Sequence, residues 1–484
     1  MKKNLKDILK GVDSTEIVGS INREIENISF DSRKCEKESL FIAVKGTQAD
    51  GHKFISEVEK NSVSAIVCEE LPKQLSDNIT YIKTNNSRKA LSLIASNYYN
   101  NPSKKINLVG ITGTNGKTTT VTLLFNLFRD LGYSCGLIST IENKIDDNIF
   151  PATHTTPDPI KLNELLHNMV KNRVTHCFME VSSHAIHQDR IFGLHFVGGI
   201  FSNLTQDHLD YHKTFKEYLY AKKIFFDNLP KTSWALTNID DKNGNILLQN
   251  TKAKKYTYAL NRNADFKAKL LSNELEGFSL QINNLEVWCR LVGRFNAYNL
   301  LATYATAILL GENITEVLTS ISNLKTVEGR FDYTKSTEGR IVIIDYAHTP
   351  DALKNVLETI NESRTHNETL ISVIGAGGDR DSSKRPIMGK IAATLSNKVI
   401  LTSDNPRNED PDTIIRDIEK GIPAEAKGKV ISITSRKEAI KTACFLSNPG
   451  DIILIAGKGH EKYQEINGVK QHFDDKEIIN EYIK

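Results

Sequence analysis

The sequence predicts an α/β protein in which parallel sheets are wrapped by helices, and three observations carry that reading. From about residue 106 onward, apolar strand-like runs alternate with amphipathic stretches of helical spacing. Several of the runs end in Gly, Ser or Asp, where such sheets place ligand-binding loops. The chain has 484 residues, too long for one hydrophobic core and suited to three units.

Strands are expected at 106–111, 177–181, 199–201, 341–344, 370–374, 398–401, 430–433 and 452–455. Between 266 and 290 the pattern turns short, mixed and polar, which reads as an antiparallel local insert before a helix beginning near Phe295. Residues 1–102 carry shorter apolar runs at 39–44 and 65–68 and end in Asn100-Asn101-Pro102, a boundary signal. A second boundary falls near Gly329-Arg330, giving expected domains of 1–102, 103–329 and 330–484. No internal repeat of solenoid length is present.

Composition narrows the class. A net charge of +3 is nearly neutral for this length, which argues against wrapping nucleic acid or lying on an anionic membrane. The start, MKKNLKDILKGVDSTEI, has an apolar stretch broken by Lys and Asp and lacks a signal-peptide core. No apolar run is long enough to insert into a bilayer, so a cytoplasmic location is expected. The cysteines at 35, 68, 135, 177, 289 and 444 never form a C-x-x-C pair and read as reduced, buried thiols.

The most informative segment is 106–120, where Gly113-Thr-Asn-Gly-Lys-Thr-Thr119 follows an apolar strand and precedes the helical run 121–128. Gly113 and Gly116 permit close backbone approach, and successive N–H groups at a helix N-terminus can cradle phosphate oxygens. Lys117 can neutralise terminal phosphates and Thr118 can offer a hydroxyl to Mg²⁺. Only two residues separate the glycines, so the turn is a variant of the usual P-loop. Glu180 ends an apolar strand, suited to holding Mg²⁺ opposite Thr118. The next strand runs into Asn203-Leu-Thr-Gln-Asp-His208-Leu-Asp210, which brings more metal-capable groups to the same sheet edge.

These residues resemble the Mur ligases, which join amino acids to UDP-N-acetylmuramic acid. The resemblance runs nearly end to end. It is carried by the 113–119 turn, Glu180-Val-Ser-Ser-His184, residues 203–212, Gly293-Arg-Phe-Asn-Ala-Tyr-Asn299, Gly329-Arg330 and Asp345-Tyr-Ala-His-Thr-Pro-Asp351. It implies a three-domain Mur ligase with a central P-loop ATPase sheet and a C-terminal Rossmann-like domain. ATP would be held by Gly113, Thr114, Asn115, Gly116, Lys117, Thr118 and Thr119. Asn296 would read adenine, and Arg330 and Asp345 would reach the phosphates and ribose, with His348 nearby.

Asp31-Ser-Arg33 and Gly46-Thr-Gln-Ala-Asp-Gly51 look like the uridine-diphosphate motifs of the member that adds the third peptide residue. By matching position, Ser32, Thr47, Gln48 and Ala49 would contact the nucleotide sugar, with Phe30 beside the uracil; from the residues alone, 31–33 is a turn. Thr155, Thr156, Ser182, Gln188 and Arg190 would orient the peptidyl arm. His154 stands where the family usually has Asn. Lys222 matches the lysine that the family carbamylates with CO₂ to make an anionic metal ligand, although from spacing alone Lys222 and Lys223 are helix-surface lysines. The resemblance implies metal-site residues Thr118, Glu180, His208 and Lys222, with Lys117, Lys222 and His208 in the chemistry.

The implied substrates are ATP, UDP-N-acetylmuramoyl-L-alanyl-D-glutamate and meso-diaminopimelate, joined through an acyl phosphate. Arg380, Asp404, Asn405, Pro406, Arg407, Gly457 and Glu461 match the diaminopimelate pocket, each segment following an apolar strand. Arg407 can grip a second carboxylate bidentately, a group lysine lacks, while Glu461 could bind the distal ammonium. Asp404-Asn-Pro-Arg407 read alone is equally a turn before a helix beginning near Pro411. The competing readings are the lysine-adding ligase, a folylpolyglutamate-synthetase-like ligase without the nucleotide-sugar domain, and a P-loop regulatory ATPase that makes no amide.

Overall fold

The computed structural model describes residues 2–46, 49–365 and 367–483. Three large sheets follow one another along the chain, beside two two-stranded ones among the described residues. The first contains β1 (Ser14–Val18), β2 (Asn27–Ser29), β3 (Ser39–Ile42), β4 (Ala65–Cys68) and β5 (Thr80–Thr84), in the order β1-β5-β4-β3-β2. All its pairings are parallel except that of the edge strand β1. Helix α1 (Ser87–Tyr98) closes this layer.

The central unit begins with β6 (Asn107–Thr112) and α2 (Lys117–Asp130), then β7 (Cys135–Ile138) and the hairpin β8 (Glu142–Ile145) and β9 (Asn148–Pro151). It continues through α3 (Pro159–Lys171), β10 (His176–Glu180), β11 (Gly198–Phe201), α4 (Phe215–Asp227), β12 (Trp234–Asn238) and β13 (Lys254–Ala259). A meander of β14 (Phe266–Glu274), β15 (Gly277–Ile282) and β16 (Leu285–Cys289) leads to α5 (Arg294–Leu309) and α6 (Ile314–Asn323). The sheet order is β9-β8-β7-β10-β6-β11-β12-β13-β14-β15-β16.

Strand β6 lies near the middle because both of its faces are apolar. Leu108 packs into one core with α3, while Val109 and Ile111 pack into the other with α2 and α5. Burying each such side chain is worth roughly 1.5–3 kcal/mol. The 266–290 segment is not a separate insert. Strand β14 pairs in parallel with β13 at Tyr258↔Phe266, and Ala268, Phe278, Leu280 and Ile282 share the core under α5. Its polar look comes from the alternation of a sheet buried on one face only.

The last unit comprises β17 (Asp332–Lys335), β18 (Ile341–Asp345), α7 (Pro350–Ser363), β19 (Leu370–Ile374), α8 (Lys384–Leu395), β20 (Lys398–Leu401), α9 (Pro411–Glu419), β21 (Val430–Ser432), α10 (Arg436–Leu446) and β22 (Ile452–Ala456). A hairpin of β23 (Tyr463–Ile466) and β24 (Val469–His472) and helix α11 (Asp475–Tyr482) complete it. The order β17-β18-β22-β19-β20-β21 is parallel apart from β17, with a core on each face. The six cysteines are buried and free. Among the described residues no helix is long and apolar enough to cross a membrane.

Candidate active site

Strands β10, β6 and β11 are neighbours, and all three run parallel, so Glu180, Thr112 and Phe201 finish at one sheet edge. The turn after β6 opens α2 with Gly116 at φ +84°, a left-handed position that a Cβ would also drive into the Asn299 side chain. No side chain caps α2, so its first N–H groups remain available to an anion. Lys117 Nζ folds back over the turn and donates to the carbonyls of Gly113 (3.0 Å) and Thr114 (2.8 Å).

Glu180 is fully buried. It accepts from Thr118 Oγ1 at 2.8 Å, from the Thr140 backbone N–H at 2.8 Å and from Thr140 Oγ1 at 3.2 Å. A hydroxyl and a carboxylate facing the phosphate turn make a hard-oxygen donor set, which suits Mg²⁺ held jointly with substrate phosphates and water. Among the described residues no three His, Cys, Asp or Glu side chains converge as a ready metal cage. His208 lies further round the rim, edge-on to the His184 ring at 4.9 Å and 3.4 Å from an Asp207 oxygen. Burial lowers the His208 pKa; Asp207 opposes the shift and His184, Lys117 and Lys222 add to it, so the ring is neutral near pH 7.

Lys222 and Lys223 are not surface groups: both are buried on α4. Lys223 is neutralised by Asp227 at 2.6 Å, one turn on. Lys222 Nζ instead donates to Gly113 O (2.7 Å) and Thr112 Oγ1 (3.4 Å) and lies 4.6 Å from the Tyr218 ring centre. Burial and then Lys117 push its pKa well below that of ordinary lysine, which favours a neutral amine.

Three connected chambers surround this edge. The first, about 330 Å³, lies between the central and last units and is walled by Phe295, Tyr298 and Asn299 of α5, Asp240, Asp241 and Asp345. The second, about 380 Å³, is bounded by residues 114–119 together with His154, Thr155, Thr156, Glu180, Ser182, Arg190, His208, Lys222 and Arg330. The third, about 200 Å³, is lined by Arg380, Asp404, Asn405, Arg407, Gly457 and Glu461 with Asp207, His208 and Lys384. Tyr346 and His348 border all three. The central and last units clasp across them: Asn115 Nδ2 donates to Asp351 at 3.0 Å, and Arg330 Nη2 to Thr118 Oγ1 at 3.2 Å.

In the second chamber, Arg190 donates to Thr156 O (2.8 Å) and to Gln188 Oε1, and Thr156 Oγ1 donates to Glu180 O. Ser182 caps the helix Ser183–His187. In the third, Asn405 bridges Glu461 and Lys458 at 2.8 and 3.0 Å, and burial together with Asp404 raises the Glu461 pKa. Arg407 adopts φ +51°, spends Nη1 on Gly378 O and lies with Nε 3.5 Å from a Glu465 oxygen, which leaves Nη2 for a ligand.

The structure does not bring every expected residue to a chamber wall. Asn296 is buried within α5, donating to Val292 O and accepting from Asn299, so its amide is spent inside the helix; Tyr298 faces the first chamber instead. Asp345 lines that chamber with each oxygen taken by a backbone N–H, and burial lifts its pKa to about 6 despite Arg330. Pro406 does not line the third chamber; its carbonyl crowds Gly378. Gln188 acts behind Arg190. Phe30 is 41% exposed, Ser32 starts the short turn that the residues alone suggested, and Ala49 is exposed; none borders a chamber. Thr47 and Gln48 lie outside the described residues. Sequence reasoning passed over Asp207, Tyr298 and Tyr346 although each sits inside a quoted motif. Thr140, Asp240 and Lys384 carried no signal.

A bare helix N-terminus with its lysine, a buried Thr–Glu pair and an adjoining chamber rich in both charges make up an anion-binding site of the kind α/β nucleotide-binding enzymes carry. Three family descriptions match the chain: "Mur ligase family, catalytic domain" over 24–99, "Mur ligase middle domain" over 111–307 and "Mur ligase, glutamate ligase domain" over 329–459. The chain belongs to the Mur ligase family. It is 56% identical over 480 residues to the UDP-N-acetylmuramoyl-L-alanyl-D-glutamate--2,6-diaminopimelate ligase of Cytophaga hutchinsonii, covering 99% of each. The enzyme of that name from Phocaeicola vulgatus is 54% identical over 477 residues, again at 99% of each chain. A solved structure of a ligase of the same name superposes with a TM-score of 0.70 at 32% identity, over 100% of this chain and 99% of that one.

Proposed function

We propose that the chain joins meso-2,6-diaminopimelate to UDP-N-acetylmuramoyl-L-alanyl-D-glutamate at the expense of ATP, in the cytoplasm, as a step of peptidoglycan precursor synthesis. The observation that carries the amino-acid assignment is the charge pattern of the third chamber. It offers guanidinium groups at Arg380 and Arg407 and carboxylates at Asp404 and Glu461, a match for a substrate with an amino-acid head at each end.

In this reading residues 1–102 hold the nucleotide sugar, 103–329 hold ATP and 330–484 hold the amino acid. The first chamber takes the nucleoside and the α2 N-terminus takes the phosphates. Thr118 and Glu180, with His208 and a carbamylated Lys222, would hold Mg²⁺, which when bound supplies charge neutralisation for the phosphates. Lys117 and Arg330 balance the charge that builds up as the dipeptide carboxylate attacks the γ-phosphorus. Arg190, held by Thr156 and Gln188, steadies the peptidyl arm so that the carboxylate stays in line. The diaminopimelate amine then enters from the third chamber, attacks the acyl phosphate and expels inorganic phosphate. Closure of the Asn115–Asp351 and Arg330–Thr118 clasps keeps water from hydrolysing that intermediate.

The test offers ATP, Mg²⁺ and the UDP-muramoyl dipeptide with either meso-diaminopimelate or L-lysine, and identifies products by mass spectrometry. Preferential lysine addition would replace the amino-acid assignment, and ADP release without any amide would remove the ligase reading. In the same assay Arg407→Met is expected to lower kcat/KM for diaminopimelate by roughly 10–100-fold while leaving any residual lysine addition unchanged, the loss of charged hydrogen bonds to one carboxylate. An equal fall for both amino acids would show that Arg407 serves the fold of its loop rather than selection.

A further inference from the structure

Lys384 is the first residue of α8 and lines the third chamber at 8% exposure. Its ammonium makes no hydrogen bond or ion pair among the described residues. The other buried cations of the last unit differ in this respect. Arg385 is paired with Glu409 and Asp417, Arg436 with Asp475, and Lys458 with Asn405 and Glu461. Two further costs fall on Lys384. It stands at the N-terminus of a twelve-residue helix, where the backbone dipole already presents positive charge, and no side chain caps that end. Arg380 lines the same wall. Burial, reinforced by Arg380 and opposed chiefly by Asp207, lowers the Lys384 pKa.

A lysine buried at the positive end of a helix beside an arginine holds its charge only where an anion completes it, and an anionic ligand can supply that partner. The carboxylates at hand do not do so, since Asp207, Asp381 and Asp404 border the chamber without pairing with Nζ. The chamber already holds Arg407, Asp404 and Glu461, the charges that suit one amino-acid head. Lys384 lines the third chamber and not the phosphoryl chamber, while Arg380 borders both, which puts the anion site on the amino-acid side of their junction.

We propose that Lys384, together with the α8 N-terminus and Arg380, binds the carboxylate beside the reacting amine of the two-headed amino acid, and so sets where that amine lies relative to the acyl phosphate. This rests on the ligase reading above. The same anion chemistry could come from the phosphoryl group, and the experiment separates the two sources.

The wild-type chain is first shown to form the diaminopimelate product, which keeps failure of the ligase reading distinct. KM for diaminopimelate, for ATP and for the UDP-muramoyl dipeptide is then measured for Lys384→Met and Lys384→Arg, with thermal melting of each as a check on folding. The expected result is a KM for diaminopimelate raised at least about tenfold in Lys384→Met, with the other two constants within about threefold of wild type, and substantial recovery in Lys384→Arg. A rise confined to KM for ATP or the dipeptide would assign the anion to the phosphoryl side and overturn the proposal. Unchanged Michaelis constants would overturn it equally, as would a lowered melting temperature with kinetics that follow only the folded fraction.

Discussion

Lys222→Met is expected to lower the rate of ligation about 10²–10³-fold, the scale seen when one group that stabilises developing charge is removed, while changing stability by less than about 1.5 kcal/mol. Methionine matches the volume of the buried stem, and among the described residues no carboxylate loses a partner, because Lys222 donates there only to Gly113 O and Thr112 Oγ1. The rate loss follows from what a neutral, buried amine can become. Reaction with CO₂ forms a carbamate and releases one proton, turning a donor into an anion beside Lys117 and the phosphate turn. Burial and the neighbouring Lys117 already favour the uncharged form that this reaction needs. Lys222→Glu, which restores an anionic oxygen, is expected to recover part of the rate that Lys222→Met loses. Steady-state ADP release would check both variants, and ¹³C-bicarbonate NMR would check for the carbamate in the wild type. A Lys222→Met enzyme with near-normal turnover would end this account of the residue.

Asp475→Ala is expected to destabilise the last unit by about 3–5 kcal/mol, the cost of leaving a buried charge without its partner. Arg436 Nε and Nη2 donate to the two Asp475 oxygens at 2.8 and 2.7 Å, and both side chains are fully buried. The pair ties the start of α10 to the start of α11, and Arg436 also donates to Ala456 O, the last residue of β22. Gly457 of the third chamber follows at once, then Lys458, which holds Asn405 and Glu461 of that chamber, so loosening the pair also loosens the amino-acid site. Urea unfolding followed by far-UV circular dichroism gives the shift in midpoint. A loss below about 1 kcal/mol would mean that water reaches the guanidinium and that the pair is not sealed. The double replacement Arg436→Met with Asp475→Leu is expected to regain much of the stability, since apolar groups of similar volume carry no desolvation cost.

Much of the parallel scaffold was legible because strands buried on both faces write themselves as continuous apolar runs. The runs expected at 106–111, 370–374, 398–401 and 452–455 correspond to β6, β19, β20 and β22. The strands at the sheet margins were not. In hairpin β8–β9 only Asn143 and Ile145 are buried while β9 is exposed throughout, and β13 begins Lys254-Lys255, so neither carries a strong apolar signal. The 266–290 segment was read as an antiparallel insert from its short, mixed and polar pattern, but nothing local in it could tell that β14 would dock on β13 and extend the main sheet. That choice depends on a core shared with α5.

For the site, the order of residues by itself determined the phosphate turn. Two glycines, a lysine and a threonine between a strand and a helix are constrained by backbone chemistry within a few residues. The glutamate at a strand end and the charged loops of the last unit were visible in the same local way. Tertiary structure alone decided which side chains meet. Among the described residues it buried Lys222 without an ion-pair partner and Lys223 with one, turned Asn296 inward while Tyr298 faces the first chamber, and left Lys384 at a helix start with no carboxylate in direct contact. The physical reason is the range of the forces: turn geometry and strand patterning are settled between near neighbours, whereas desolvation and charge pairing depend on groups that only the packed chain brings together.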